Sequence, residues 1–229
     1  MKALVFNGPR DVRYERFPDP ELATDNSVIV KVERCSICGS DLHMYHGDNV
    51  GVANYSEGVE PFCVGHEFAG EVVEVGKSVH RHKVGQKVFA SGGAPCGRCE
   101  NCLSGHTALC KHWTAFGLST RLNGGQAEFV NVPMADLTLQ PIPEGVSDEQ
   151  SILLTDAMCT AYFGLARTAM EPGDAVAIVG LGPIGLIGVE LAYVLGASKV
   201  YAIDPVANRR AHAASLGAVA LAPLQALPT

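Results

Sequence analysis

The sequence predicts an α/β protein with a β-rich first domain, residues 1–150, and a second domain, residues 151–229, that begins a doubly wound parallel sheet. Two observations support this prediction. The first domain alternates short strand-like runs with breaks that contain glycine or proline. After Val146, helical patterns instead alternate with continuous apolar runs, which are typical of strands buried on both faces of a parallel sheet.

The strand-like runs of the first domain cover residues 2–6, 12–15, 27–33, 67–75, 87–90 and 127–132. β-Branched residues dominate the run at 27–33 and favour extended backbone there. The spacing indicates a small antiparallel barrel, although periodicity alone also allows a β-sandwich. Between the third and fourth runs lies a segment that we interpret as turn-rich, Cys38-Gly-Ser-Asp-Leu-His43.

The second domain has a regular α/β rhythm. Ser147 can cap a helical turn with acidic residues, and helical periodicity then extends over residues 156–169. Strands are predicted at 175–179 and 199–203, and helices at 183–195 and 206–216. Residues 218–222 could start a third strand.

Composition restricts the kind of partner. The chain of 229 residues carries a formal net charge of −7, which argues against nucleic-acid or anionic-membrane partners and favours a small molecule. The start of the chain lacks the apolar core of a signal peptide, and no apolar run is long enough to span a membrane, so we expect a cytoplasmic protein. Eight cysteines in such a chain indicate metal binding rather than a disulfide framework.

A compact lobe at about residues 92–113 concentrates thiols. The four cysteines of this lobe are Cys96, Cys99, Cys102 and Cys110. Two residues between successive thiols let a tight loop turn each sulfur toward one centre, and the fourth thiol completes a tetrahedral site for a structural zinc. Unliganded or oxidised cysteines are the alternative. A zinc ribbon for nucleic acid is disfavoured because Glu100 offsets one of two basic residues, Arg98 and Lys111.

A glycine motif joins the first strand and helix of the second domain. It consists of Gly180, Leu181, Gly182, Pro183, Ile184 and Gly185. In this strand-to-helix context, G-x-G-x-x-G predicts a dinucleotide site. Gly180 allows the tight turn, Gly182 allows a pyrophosphate to approach the backbone, and Gly185 allows the helix to pack on the strand.

Asp204 ends the next predicted strand and bears on the choice of dinucleotide. Its carboxylate would accept hydrogen bonds from the adenosine ribose and would repel a 2′-phosphate, which favours NAD over NADP. Arg209 and Arg210 keep NADP open, although a solvated helix face explains them better.

Taken together and in order, Cys38-Gly-Ser-Asp-Leu-His43, Gly65-His66-Glu67, the four-cysteine lobe and the glycine motif resemble the zinc-containing medium-chain alcohol dehydrogenase family over nearly the whole chain. The resemblance implies a GroES-like catalytic domain followed by a Rossmann domain. It also implies two Zn²⁺ ions, one catalytic and one structural, and hydride transfer between an alcohol, or an aldehyde or ketone, and NAD.

The resemblance assigns roles to residues of the first domain. Cys38 and His66 match ligands of the catalytic zinc, and Glu67 matches an occasional ligand beside it. Ser40 matches the hydroxyl that takes the substrate proton, and His43 matches the residue that relays it toward solvent.

In the family, the third protein ligand lies at the start of the helix that links the two domains. The segment 154–164 resembles the formaldehyde-dehydrogenase-like and related branches, in which an aspartate is the third protein ligand, and this implies Asp156. Cys159, one helical turn later, is the competing candidate. Asp41 matches the carboxylate that supports the ligands from behind.

A dinucleotide fold of this kind uses about six parallel strands, and the sequence supplies about three. We therefore expect a C-terminally incomplete chain that could associate into a homo-oligomer. A catalytically incomplete zinc-binding fragment is the alternative to an active dehydrogenase, and the sequence does not identify the substrate.

Overall fold

The computed structural model describes residues 1–48 and 60–223. The chain divides into two compact units, Met1–Thr155 and Asp156–Thr229. Each unit has its own apolar core.

Antiparallel strands dominate the first unit. The strands of this unit are β1 (Lys2–Gly8), β2 (Asp11–Arg16), β3 (Val28–Cys35), β4 (Phe62–Cys63), β5 (Phe68–Val75), β6 (Lys87–Ala90), β7 (Gly93–Ala94), β8 (Thr114–Ala115), β9 (Phe129–Val132) and β10 (Leu139–Pro141). A three-stranded sheet has the order β2-β1-β4 and a five-stranded sheet has the order β10-β6-β5-β3-β9. A bridge between Ala3 and Ala127 links the two sheets. The β-rich character that the sequence predicts is confirmed.

Side chains of the five-stranded sheet form a core cluster of the first unit. Aromatic and branched residues fill it, including Val28, Val30, Phe68, Val72, Val88, Phe116, Val130 and Leu139. The rings of Phe68 and Phe116 meet edge to face with centroids 5.1 Å apart. The short helices around this core are α1 (Gly39–His46), α2 (Glu100–Leu103), α3 (Ala135–Thr138) and α4 (Asp148–Ser151).

Helix α1 corrects the interpretation of residues 38–43 as a turn-rich segment. Cys38 occupies the N-cap, and its N–H donates to the Asp41 carboxylate at 2.8 Å. This contact satisfies a backbone group that helix formation leaves without a partner. Gly47, with a φ of +83°, ends the helix.

The second unit is a parallel α/β layer. Its sheet has the order β11-β12-β13, formed by β11 (Ala175–Val179), β12 (Lys199–Ile203) and β13 (Val219–Leu221). Helices α5 (Ala157–Ala166), α6 (Pro183–Val194) and α7 (Ala207–Ser215) complete it. Helix α5 ends earlier than predicted, and Ala169 beyond it adopts a left-handed φ of +54°. Apart from such end effects, the predicted elements are confirmed.

Helices α6 and α7 pack against this sheet, and α5 packs against α6. Fully buried residues of the shared core are Leu181, Val189, Ala192, Val200, Ala202 and Ala213. Across the described ranges 1–48 and 60–223, no helix has the length and apolar character needed to cross a membrane.

Candidate metal centres and nucleotide loop

Two segments of the first unit bring three metal-binding side chains together. Cys38 stands at the start of α1, and His66 and Glu67 immediately precede β5. One ligand atom of each lies within 4.8 Å of the others. His66 and Glu67 are buried, while Cys38 is half-buried. The sulfur, nitrogen and oxygen donors therefore converge as the sequence predicts for Cys38, His66 and Glu67.

His66 is held between a carboxylate and a thiol. Its Nδ1 lies 3.6 Å from Asp41 Oδ1, and its Nε2 lies 3.4 Å from the Ser40 hydroxyl. Burial by itself lowers the pKa of His66, but Asp41 and Cys38 outweigh burial and raise that pKa to about 10. The hydrogen bond from His66 lowers the pKa of the Cys38 thiol, against the opposing effect of burial. A divalent cation could replace the proton that the His66 imidazole and the Cys38 thiol share.

Glu67 has its own support. The Ser36 hydroxyl donates to Glu67 Oε2, and the Ser36 N–H donates to the Glu67 carbonyl at 3.2 Å. Gln126 Nε2 donates to the Ser36 carbonyl at 2.9 Å. The two segments that carry Cys38 and Glu67 are thus tied to each other and to the strand region at Gln126.

Further predicted site residues lie on helices α1 and α5. His43 is exposed on α1, with Nδ1 3.1 Å from the carboxylate of Asp48. Asp156, the first residue of the second unit, stands at the N-cap of α5 and accepts a 2.6 Å hydrogen bond from Thr160 Oγ1. Cys159 is exposed in the first turns of the same helix.

The four-cysteine lobe forms the second candidate metal centre. Ligand atoms of all four cysteines lie within 4.8 Å of one another. The Cys99 sulfur lies 3.5 Å from that of Cys102 and 3.9 Å from that of Cys110. Backbone N–H groups of Cys96 and His112 donate to the Cys110 sulfur at 3.2 and 3.3 Å. The predicted ligands Cys96, Cys99, Cys102 and Cys110 are therefore brought together.

The thiols of this lobe do not ionise alike. Backbone N–H groups, first that of Cys102 and then that of Lys111, lower the pKa of Cys99 to about 6. Desolvation raises the pKa of Cys102 to about 12. Four sulfurs so close together cannot all carry charge unless a cation neutralises them, and tetrahedral thiolate ligation is what Zn²⁺ favours.

The glycine motif forms the loop between β11 and α6. Gly180 has a φ of +91°, and a Cβ at Gly185 would lie 1.8 Å from the Gly180 carbonyl oxygen, so neither position tolerates a side chain without rearrangement. Gly182 is the N-cap of α6, and Pro183 is its first helical residue. Nothing lies within 4 Å of a Cβ placed on Gly182. The loop borders a cleft of about 510 Å³ that Ile184 also lines.

Asp204 closes this loop from the end of β12. The carboxylate is buried and accepts hydrogen bonds from the N–H groups of Leu181 at 2.8 Å and Val206 at 2.7 Å. These donors hold the pKa of Asp204 below its ordinary value. Arg209 Nη1 lies 3.6 Å from the same carboxylate, and Arg210 donates to the Asp204 carbonyl at 2.7 Å.

Comparison with known proteins decides the family. The alcohol dehydrogenase GroES-like domain family matches residues 24–144. The chain is 41% identical over 225 residues to the medium chain reductase/dehydrogenase ucsI of Acremonium sp., an alignment that covers 95% of this chain and 74% of that protein. The chain belongs to the zinc-type, medium-chain alcohol dehydrogenase family. The GroES-like and partly Rossmann-like fold class that the sequence predicts is confirmed.

Solved alcohol dehydrogenases share the backbone arrangement. Alcohol dehydrogenase TADH from Thermus sp. ATN1 superposes with a TM-score of 0.91 at 37% identity, over 100% of this chain and 65% of that chain. Acetophenone reductase from Geotrichum candidum NBRC 4597, in complex with NAD, gives 0.84 at 30% identity over 98% and 64%. The chain spans 50–60% of the length of other curated relatives, among them sorbitol dehydrogenase of Bacillus subtilis at 60%.

Two residues of this candidate metal site have no signal in the sequence. Ser36 lies outside the Cys38–His43 motif, and Gln126 is 90 positions from the serine that it contacts. Both act through hydrogen bonds that depend on how the strands pair. The capping role of Asp41, in contrast, follows from its position three residues after Cys38.

Proposed function

We propose that this protein is a zinc-dependent oxidoreductase that transfers a hydride between an alcohol, or the corresponding aldehyde or ketone, and NAD. One observation carries the proposal: the thiol of Cys38, the imidazole of His66 and the carboxylate of Glu67 converge in a partly buried site. Membership of the zinc-type alcohol dehydrogenase family supports it.

The donor set of this site fits zinc. Sulfur, nitrogen and oxygen donors are those that Zn²⁺ takes in catalytic sites, and Asp41 stands behind His66 as the orienting carboxylate that such histidines commonly have. Asp156 remains a prediction for a further ligand, with Cys159 as its competitor. A bound zinc would supply Lewis acidity toward the oxygen of the substrate.

The polar side chains around the site would manage the proton. The Ser40 hydroxyl, 3.4 Å from His66 Nε2, would take the proton that an alcohol gives up on oxidation. His43 is exposed to solvent beside Asp48 and would pass the proton outward. In carbonyl reduction, the same groups would deliver the proton.

The second unit would bind the nucleotide. The N–H groups at the start of α6 and the space above Gly182 suit a pyrophosphate. Asp204 retains lone pairs beyond the two backbone bonds that it accepts, and these could receive ribose hydroxyls. Its negative charge favours NAD over NADP.

The four-cysteine lobe would hold a second, structural zinc. Four thiolates fill a tetrahedral coordination sphere, so this ion would stabilise the lobe without reacting. Because the thiols must stay reduced to hold it, we place the protein in a reducing compartment such as the cytoplasm.

Metal analysis and nucleotide titration test the proposal. We expect the protein to bind two zinc equivalents per chain and to bind NADH saturably. Cys38→Ser should lose one zinc equivalent and should also lose alcohol oxidation activity. Cys35→Ser is the matched control, since this exposed thiol lies at the end of β3. Equal zinc content and activity in the two variants would contradict the assignment of Cys38.

A further inference from the structure

Ser36 occupies a place next to the metal site that the family motifs do not assign. It lies two residues before Cys38, and its hydroxyl donates to the carboxylate of Glu67. We propose that Ser36 is a positioning residue that holds one oxygen of Glu67 and so presents the other oxygen to the metal. This inference rests on the metal site of the proposed function.

The Ser36 hydroxyl is directed toward Glu67 because hydrogen bonds hold both the N–H and the carbonyl of Ser36. Its N–H donates to the Glu67 carbonyl at 3.2 Å, which continues the pairing of β3 with β5. Its carbonyl accepts from Gln126 Nε2 at 2.9 Å, and Gln126 is 7% exposed.

Gly65 makes room for this arrangement. A Cβ at Gly65 would lie 2.4 Å from Gln126 Cγ, so a larger residue would displace the glutamine. Gln126 is further anchored by its own N–H, which donates to the Val64 carbonyl at 3.0 Å. The backbone of Ser36, and with it the start of its side chain, is therefore held in place relative to the segment that carries His66 and Glu67.

A buried carboxylate needs such a partner. Glu67 is 8% exposed, and an ionised carboxylate in that environment is costly without a hydrogen bond or a cation. The Ser36 hydroxyl supplies a hydrogen bond to this carboxylate. With Oε2 engaged by the hydroxyl, Oε1 would be the oxygen left to ligate a metal.

Ser36 and Asp41 thus act in parallel on neighbouring ligands. Asp41 faces Nδ1 of His66, whereas Ser40 lies near Nε2, and Ser36 faces one oxygen of Glu67. Outer partners of metal ligands typically contribute a factor of about 10–100 to metal affinity. That factor sets the size of the effect expected for Ser36.

The experiment measures Co²⁺ affinity of the purified protein by competition with a chelator, and visible absorption separates a site with one thiolate from the four-thiolate lobe. Ser36→Ala should weaken Co²⁺ binding at the first site by about 10-fold or more. Ser36→Thr, which keeps a hydroxyl, should retain most of the affinity, and Ser78→Ala on an exposed turn is the matched control. An unchanged four-thiolate spectrum shows that each variant still folds.

A double-mutant cycle with Glu67→Ala tests whether Ser36 affects Co²⁺ affinity through Glu67. In that background, Ser36→Ala should cause no further loss, because the carboxylate that it positions is gone. An equal loss in both backgrounds, or no loss in Glu67→Ala alone, would overturn the proposal while leaving the proposed function intact. Full Co²⁺ binding in Cys38→Ser would instead refute the metal site, and with it both the function and this inference.

Discussion

Replacing Gly185 with alanine tests the nucleotide loop at its tightest point. The added Cβ would lie 1.8 Å from the Gly180 carbonyl oxygen and 2.9 Å from the carbonyl carbon. Both are backbone atoms, so no side-chain rotation can relieve the clash. The distance to the oxygen falls short by 1.6 Å of the 3.4 Å at which ordinary contact begins.

The expected cost follows from this displacement. Forcing one extra carbon into a packed contact typically costs about 1–3 kcal/mol. In a unit of 74 residues, Asp156–Thr229, 1 kcal/mol corresponds to a fall in Tm of about 4–8 °C. Because α6 must move away from Gly180, the N–H groups that would face a pyrophosphate also move, and we expect NADH affinity to fall by about tenfold.

Two other glycines provide controls of opposite kind. Gly182 has a φ of −72° and nothing within 4 Å of an added Cβ, so Gly182→Ala should leave Tm unchanged but weaken NADH binding by occupying the pyrophosphate space. Gly164 lies inside α5, and a Cβ placed there has no neighbour within 4 Å. Gly164→Ala should therefore raise the free energy of unfolding by about 1 kcal/mol.

Thermal unfolding followed by far-UV circular dichroism and NADH fluorescence titration measure these effects. Gly164→Ala should have the highest Tm, Gly185→Ala should have the lowest, and Gly182→Ala should share the Tm of the parent protein. A Gly185→Ala variant as stable as the parent, with unchanged NADH affinity, would refute the packing argument.

Two further predictions concern charge and metal. The pKa of Asp204 is lowered first by the Leu181 N–H and then by that of Val206. Its contribution to stability is therefore complete above the ordinary pKa of 3.8 and is lost as the pH falls through the folded-state pKa. Asp204→Asn should flatten the acid side of the stability-versus-pH curve measured by urea denaturation and should weaken NADH binding, and an unchanged acid side would contradict the role of these bonds. Cys110→Ser should remove one zinc equivalent and shift the emission of Trp113, whose backbone N–H donates to the Cys110 carbonyl at 3.2 Å. Cys35→Ser, at an exposed thiol outside the lobe, should do neither. Retention of zinc in Cys110→Ser would refute the four-thiolate site.

The second unit could be predicted from the sequence because its signals are local. Continuous apolar runs gave β11 and β12 with their observed bounds, and the glycine motif located the start of α6. Helix α1 was missed because it is short and lacks an amphipathic pattern; its cap, Cys38 with Asp41, stabilises it instead. Strand β4 could not be predicted from the sequence for another reason. A strand of only two residues forms because β1 pairs with it, and that pairing is not visible in the local sequence.

The candidate metal site combines both kinds of information. Thiols three positions apart converge through local loop geometry, which explains why the four-cysteine lobe can be recognised in the sequence. Cys38 and His66 converge only because β3 and β5 pair with Cys35 opposite Phe68, in a register shifted between Val32 and Arg34. Slipping that register by one residue would turn each side chain to the other face of its strand. The motifs therefore identify which residues could bind a metal, while the strand pairing, continued by the bond from Ser36 to Glu67, determines that they meet.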